Sequence, residues 1–128
     1  MDHDPNHLQQ IPGGSELCAG VGGTPTFADA QVLDLQIGLN GEGCLILKTC
    51  RLGPDGNYLP HEPVIVTFKL KGLSSVELID LMEPSYVHQL VVEAHLNSTT
   101  LRWEAAYGVQ GSLTAAEMRV TFVDGTAD

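Results

Sequence analysis

The histidines are the side chains most suited to hold a metal ion or to move protons, so their spacing is the first test for chemistry. His88 and His95 stand seven positions apart in one stretch of alternating residues, which places them on opposite faces of a strand. His61 lies in a loop between prolines, with no second pair of ligands near it in the sequence. The sequence therefore predicts no bound metal.

The residues that could act as nucleophiles or hold phosphate lack the surroundings that such chemistry needs. No serine lies in a Gly-x-Ser-x-Gly turn, and Gly20-Val21-Gly22-Gly23 is not followed by the Lys-Ser or Lys-Thr pair of a phosphate loop. Asp80 and Glu83 lie near a strand end, where carboxylates are usually solvated. We expect no enzyme activity and no cofactor, and we keep as an alternative a hydrolase that uses Asp29 and a histidine.

Composition and charge narrow the classes of partner. The chain has 128 residues, the size of one domain, and its 43% of hydrophobic residues against 17% charged is enough for a buried core. The formal net charge is -10, with only six Lys and Arg residues. Nucleic-acid binding depends on clustered cations, so the sequence predicts no nucleic-acid partner and favours a basic protein.

The cysteines and the apolar runs indicate a compartment. The first ten residues lack the basic start and apolar run of a secretory signal, and every apolar run is shorter than the roughly 20 residues that a bilayer crossing needs. The three cysteines, Cys18, Cys44 and Cys50, have no metal-type spacing. Cys44 and Cys50 would stand about 20 Å apart on one strand, too far for a disulfide. We expect a cytoplasmic protein with reduced thiols and no membrane contact.

The elements that must position these side chains are strands. Apolar and polar residues alternate with a period of two over most of the chain after residue 31, and turn residues separate the alternating stretches. The alternation predicts strands near Leu33–Leu39, Leu45–Leu52, Val64–Leu70, Ser75–Leu81, Val87–Leu96, Leu101–Tyr107 and Glu117–Val123.

This pattern predicts a mainly β fold, a curved antiparallel sheet of six to seven strands that forms a sandwich or a partial barrel. Residues 27–128 are expected to be a single antiparallel β domain, and residues 1–26 a flexible lead-in with at most a short helix at Ser15–Ala19, capped by Ser15. The alternation also predicts one continuous core formed by Leu33, Leu35, Phe68, Leu90, Val92, Leu101, Trp103, Val120 and Phe122.

Several short motifs resemble one family. The segments Ile11–Leu17 and Pro25–Val32 at the start of the chain, and Ala106-Tyr107-Gly108 and Gly111-Ser112-Leu113 near its end, resemble the immunity protein 50 family of bacterial polymorphic toxin systems. The sequence departs from the family pattern at Ala28, where a histidine is usual, and at Gln31, where a glutamate is common.

This resemblance implies a non-catalytic protein that binds and neutralises a cognate toxin, with a basic nuclease as one candidate. Because opposed potentials select a partner, acidic loop residues are the expected contacts. These are Asp55, Glu62, Glu77, Asp80 and Glu83. A small-molecule binding module with a pocket near Trp103 and Tyr107 stays an alternative, and the sequence leaves open a homodimer through an edge strand.

The residues of the family motifs are expected to be structural. Asp29 is predicted to cap the turn before the first strand with its carboxylate, Tyr107 to be a buried ring, and Gly108 to adopt a positive φ in a turn. Phe27 and Gly111 belong to the same motifs and receive the same structural interpretation.

Overall fold

The computed structural model describes residues 6–125, and the mainly β antiparallel fold is confirmed. The described residues contain six strands, which are β1 (Gln31–Ile37), β2 (Gly43–Leu52), β3 (Tyr58–Ile79), β4 (Tyr86–Ala94), β5 (Thr99–Tyr107) and β6 (Gln110–Asp124). They form one sheet that closes into a barrel, in the order β1-β2-β3-β6-β5-β4. A 3-10 turn (Leu8–Gln10) and the helix α1 (Gly14–Val21) precede them.

Two predicted strands are one. The stretches predicted near Val64–Leu70 and Ser75–Leu81 both belong to β3, which pairs with β6 from Val64 through to Ile79. Between them the pairing shifts at Leu73 and Ser75, beside Gly72 with a φ of 70°. A bulge and a glycine interrupt the alternation without ending the strand, because the ladder resumes on the same partner.

The barrel closes over a short stretch of backbone. β1 pairs with β4 at Gln31 and Tyr86. The residues just before and after Gln31 extend this contact, since the amide of Asp29 donates to the carbonyl of Val87 and the amide of Val32 to that of Ser85, both at 2.8 Å. After Val32, strand β1 continues past the start of β4, so its outer edge runs beside the loop that joins β3 to β4.

The predicted core is largely correct. Trp103, Phe68 and their neighbours form one apolar cluster inside the barrel, and Leu35 and Phe122 pack against it while partly exposed. Fully enclosed members of the predicted set are Phe68, Leu90, Val92, Leu101, Trp103 and Val120.

The prediction that Leu33 points inward is wrong. Val32 pairs with Leu47 and Asp34 with Ile46, so Leu33 is the extra residue of a bulge in β1. An extra residue reverses the alternation that follows it. Leu33 therefore faces outward with 44% of its surface exposed, and Val32 and Leu35 face the core instead.

The segment predicted as a loose lead-in is a packed part of the barrel from Leu8 to Val21. Strand β5 pairs with β6 only up to Ala115, although β6 continues to Asp124. Residues 7–12 occupy this opening, since the amide of His7 donates to the carbonyl of Val92 on β4 and the amide of Val120 on β6 donates to the carbonyl of Pro12. The buried side chains of the segment are Leu8, Ile11, Leu17, Cys18 and Val21.

The helix begins earlier than predicted and without a side-chain cap. Its N-cap is Gly13, in the left-handed conformation, rather than Ser15. The hydroxyl of Ser15 donates to the carbonyl of Gln9 at 3.4 Å. Gly13 is needed for a steric reason, since a Cβ placed there would lie 1.8 Å from the carbonyl oxygen of Val120.

Gly13→Ala is therefore expected to lower the free energy of unfolding by about 2 kcal/mol, because a left-handed backbone and a clash with β6 backbone add together. Chemical denaturation followed by circular dichroism measures the loss. Gly56→Ala is the matched control, since Gly56 has a similar φ of 83° and a Cβ added there would meet no neighbouring atom within 4 Å. Equal losses in the two variants would contradict the contact with Val120.

Candidate functional site

The five acidic residues predicted to bind a partner fall into two groups at opposite ends of β3. Asp55 lies in the turn before β3, and Glu62 lies near its start. Glu77 lies near the end of the same strand, and Asp80 and Glu83 lie in the loop that follows it. A single small contact surface does not include both groups.

Asp55 is occupied within its own turn. Its carboxylate accepts the backbone N–H of Asn57 at 3.1 Å and the side-chain amide of Asn57 at 3.0 Å. These hydrogen bonds hold the pKa of Asp55 below its ordinary value. The group at the start of β3 therefore contains one carboxylate that stabilises a turn, and the group at the end of β3 is the better candidate.

Beside that second group, exposed apolar side chains surround a cleft of about 660 Å³. Leu33 of the β1 bulge lines it from one side, and Leu81, Met82 and Pro84 of the β3–β4 loop line it from the other. Leu81 is 69% exposed, and Met82 is also exposed. Apolar side chains of this size gathered on a surface mark interaction sites, whereas isolated ones are common everywhere.

Two tyrosines extend the apolar surface. The prediction that Tyr107 is a buried ring is wrong, because 56% of its surface is exposed. It is the cross-strand partner of Tyr86, which is exposed too and also pairs with Gln31 at the edge of the cleft. The register of β4 and β5 thus places two exposed tyrosines opposite each other, and Tyr86 follows Pro84 of the loop by two residues.

Carboxylates border this surface. Asp34 and Glu83 line the cleft, and Asp80 precedes Leu81 in the loop. Asp34 also accepts the backbone N–H of Leu35 at 2.9 Å, which occupies one donor of β1. We call this region the acidic apolar surface, formed by Leu33, Leu81, Met82, Pro84, Tyr86 and Tyr107 with Asp34, Asp80 and Glu83.

The sequence predicts Asp80 and Glu83 as contact residues of this surface, but it misses Asp34 and the apolar side chains of the cleft. The alternation predicts Leu81 only as the last residue of the strand Ser75–Leu81, and it assigns Met82 no role. The signal available was the sequence Asp80-Leu81-Met82-Glu83, in which apolar residues lie between acids and beside a proline that ends the pairing.

The motif residues Phe27 and Asp29 act as backbone and core elements. Phe27 is fully buried with a φ of 64°, and its ring meets that of Phe68 edge to face at 5.9 Å. Asp29 also has a positive φ, but the prediction that its carboxylate caps this turn is wrong. The hydroxyl of Thr26 performs that role by accepting the backbone N–H of Ala28 at 3.3 Å, while Asp29 is exposed.

The motif glycines support Trp103. Gly108 has a φ of 93°, as predicted, and a Cβ there would lie 2.7 Å from Ser85. The buried hydroxyl of Ser85 accepts the N–H of Val109 at 2.9 Å, and the carbonyl of Val109 accepts the indole N–H of Trp103 at 2.9 Å. Gly111 is the cross-strand partner of Trp103. These contacts hold the Trp103 ring in a closed interior.

The small-molecule pocket predicted near Trp103 and Tyr107 can be compared with the clefts of the barrel. A second, larger cleft of about 1110 Å³ lies at the other end of β1, around Gln36 and Ile37. Neither Trp103 nor Tyr107 lines either cleft. The tryptophan faces the core and the tyrosine faces outward, so the two do not enclose a common cavity in the described part of the chain.

The described residues contain neither a cluster of metal-ligating side chains nor a helix that could cross a membrane. Across residues 6–125, no group of three or more His, Cys, Asp or Glu side chains is arranged to hold a metal ion. His95 lies in the hairpin after β4, and His7 accepts the backbone N–H of Ala94 at 2.8 Å. The one α-helix within that range is too short to cross a membrane.

Comparison with known proteins adds no relative. No protein-family model, no curated protein and no solved structure matches this chain.

Proposed function

We propose that this chain is a non-catalytic protein that binds another protein through the acidic apolar surface. The class of partner that we propose is a toxin domain, which the chain would neutralise by covering its active region, as the resemblance of the sequence motifs to immunity proteins implies.

The observation that supports the proposal is the composition of that surface. Protein interfaces combine aromatic and apolar contact residues at the centre with a polar rim, and Tyr is enriched among the residues that contribute most of the binding energy. Tyr86 and Tyr107 are exposed cross-strand partners, and Tyr86 begins β4 directly after the loop whose leucine, methionine and glutamate line the cleft. The barrel holds them on strands, so little ordering is needed on binding.

Charge favours a basic partner over a second copy of the chain. The lining of the cleft carries Asp34 and Glu83 and, among the described residues, no Lys or Arg. Two copies meeting through this surface would bring carboxylates against carboxylates, which costs free energy, whereas a basic surface would be attracted. The net charge of -10 gives the same preference at longer range.

Co-expression with a toxin domain encoded beside this chain tests the function. An immunity protein restores growth of the cell that makes the toxin, and it co-purifies with the toxin as a complex. Failure to restore growth, with the chain folded and abundant, would remove the proposal.

The electrostatic part of the proposal gives a sharper prediction. Replacing Asp80 and Glu83 together by lysine should lower the association rate with the toxin about tenfold at low salt, because exposed charges mainly steer encounter. The effect should shrink at physiological salt, where screening acts over about 8 Å. Surface plasmon resonance at several salt concentrations gives the rates.

The matched control replaces Asp55 and Glu62, which lie at the other end of β3, by lysine. It changes the net charge by the same amount without touching the acidic apolar surface. If both double variants slow association equally, total charge matters and this surface is not the contact.

A further inference from the structure

The larger cleft, at the end of the barrel where β1 passes into β2, has a different character. It is lined by the β1–β2 hairpin, by β3 and β6, and by residues on both sides of the β4–β5 hairpin. It shares no lining residue with the cleft of the acidic apolar surface. Its volume of about 1110 Å³ is slightly above the range of about 300 to 1,000 Å³ that is usual for small-molecule sites.

Cations are concentrated in this cleft although the chain is strongly acidic. Three of the six Lys and Arg residues line it, namely Lys69, Lys71 and Arg119. Two carboxylates, Glu42 and Glu117, line it as well, so the cleft keeps a net positive charge in a chain of net charge -10.

Two of these cations are placed directly against each other. Lys69 on β3 is the cross-strand partner of Arg119 on β6, and on its other side Lys69 is the partner of Cys44. Like charges at directly opposite positions destabilise a sheet. Within residues 6–125 neither cation has a carboxylate within 4.0 Å, whereas Arg51 and Arg102 each form an ion pair.

The rest of the cleft offers neutral hydrogen-bond donors, and the charge of Lys69 acts on a thiol in the same cleft. Gln10, Gln36, Asn40 and Thr99 are among its lining residues. Burial and the charge of Asp34 raise the pKa of the Cys44 thiol, and the charge of Lys69 acts in the opposite direction. The ammonium group of Lys69 is thus close enough to be felt at another residue of the same cleft.

We propose that this cleft binds a small anion that carries a phosphate group. Lys and Arg side chains are the usual protein ligands of phosphate, and a bound dianion would relieve the repulsion between Lys69 and Arg119. The phosphate belongs either to a free metabolite or to a lipid headgroup. A lipid is one of the two sources because the fully exposed Leu39 and Leu96 occupy the two hairpins beside the cleft, where their side chains are free to contact a lipid surface.

Titration of the ¹⁵N-labelled chain with inorganic phosphate tests the site. Amide shifts are expected to concentrate at the residues of the row that crosses four strands, Gln36, Cys44, Lys69 and Arg119. Replacing Lys69 and Arg119 together by glutamine should weaken binding at least about tenfold, the usual effect of losing a charged hydrogen bond. The same spectra report whether the variant is folded.

The matched control is Arg51→Gln with Arg102→Gln, which removes two positive charges from outside the cleft. It should bind phosphate as the unchanged chain does. Equal weakening in both double variants would overturn the site, and so would the absence both of shifts at millimolar phosphate and of flotation with vesicles that contain phosphatidic acid.

Flotation with phosphatidylcholine vesicles, with and without phosphatidic acid, identifies the source of the phosphate. Flotation that needs phosphatidic acid and is lost in the Lys69 and Arg119 variant and in Leu39→Ala with Leu96→Ala supports the site with a lipid ligand. Phosphate shifts without flotation support it with a free ligand. If the Lys69 and Arg119 variant still floats with the vesicles and the unchanged chain shows no shifts with phosphate, the site is overturned. None of these results depends on a toxin.

Discussion

Trp103→Ala is expected to lower the free energy of unfolding by about 3 to 5 kcal/mol, the range measured for removing a large aromatic side chain from a core. Trp103 is only 2% exposed, and its ring is the largest fully enclosed side chain of the barrel. The substitution leaves a large cavity and also leaves the carbonyl of Val109 without the indole donor. Urea denaturation followed by circular dichroism measures the loss.

Tyr107→Ala provides the control on the same strand. Tyr107 is an aromatic residue four positions later, but it faces outward, so its removal should change the unfolding free energy by less than about 1 kcal/mol. A loss below about 1 kcal/mol for Trp103→Ala would mean that the ring is not enclosed and that the register of β5 is wrong.

The second large effect concerns binding. Replacing Tyr86 and Tyr107 together by alanine should weaken the complex with the neutralised toxin by about 2 to 4 kcal/mol, or about 30-fold to 1000-fold, as central aromatic residues of interfaces do. The change should appear mainly as faster dissociation, since packing contacts form after encounter. Surface plasmon resonance separates this effect from the slower association expected for the Asp80 and Glu83 variant.

The control for this variant is Leu39→Ala with Leu96→Ala, which removes two exposed apolar side chains outside the acidic apolar surface. It should leave the dissociation rate unchanged. If dissociation is indifferent to the tyrosines, or responds equally to the leucines, the toxin binds elsewhere on the chain.

The sequence predicts the strands and most of the core because alternation in a half-buried sheet is a local signal. Trp103 and Phe68 face inward as their positions in the alternation indicate. Leu33 does not, because a bulge depends on how β1 meets β2 and leaves no mark in β1 alone. Tyr107 departs from the alternation for a similar reason, since Tyr86 pairs with Tyr107 but Val87 pairs with Ala105, and this register shift leaves Ala106 as an extra residue of β5.

The N-terminal segment and the candidate site depend on contacts that are distant in the sequence. Residues 8–21 are polar and glycine-rich enough to suggest a loose segment, and only the opening between β4 and β6 makes their few apolar side chains buried. Likewise, Leu33 and Leu81 meet at one cleft because the barrel closes at Gln31 and Tyr86. Neither arrangement follows from the pattern of one element.

The segment that fills this opening is synthesised long before the strands it joins. His7 and Pro12 leave the ribosome before Val92, and Val92 leaves it before Val120. During elongation the apolar side chains of this segment therefore have no barrel to enter, and the last gap closes only after β6 is made. Since contacts between distant residues form slowly, the barrel should close in one late step that follows the synthesis of β6 rather than strand by strand.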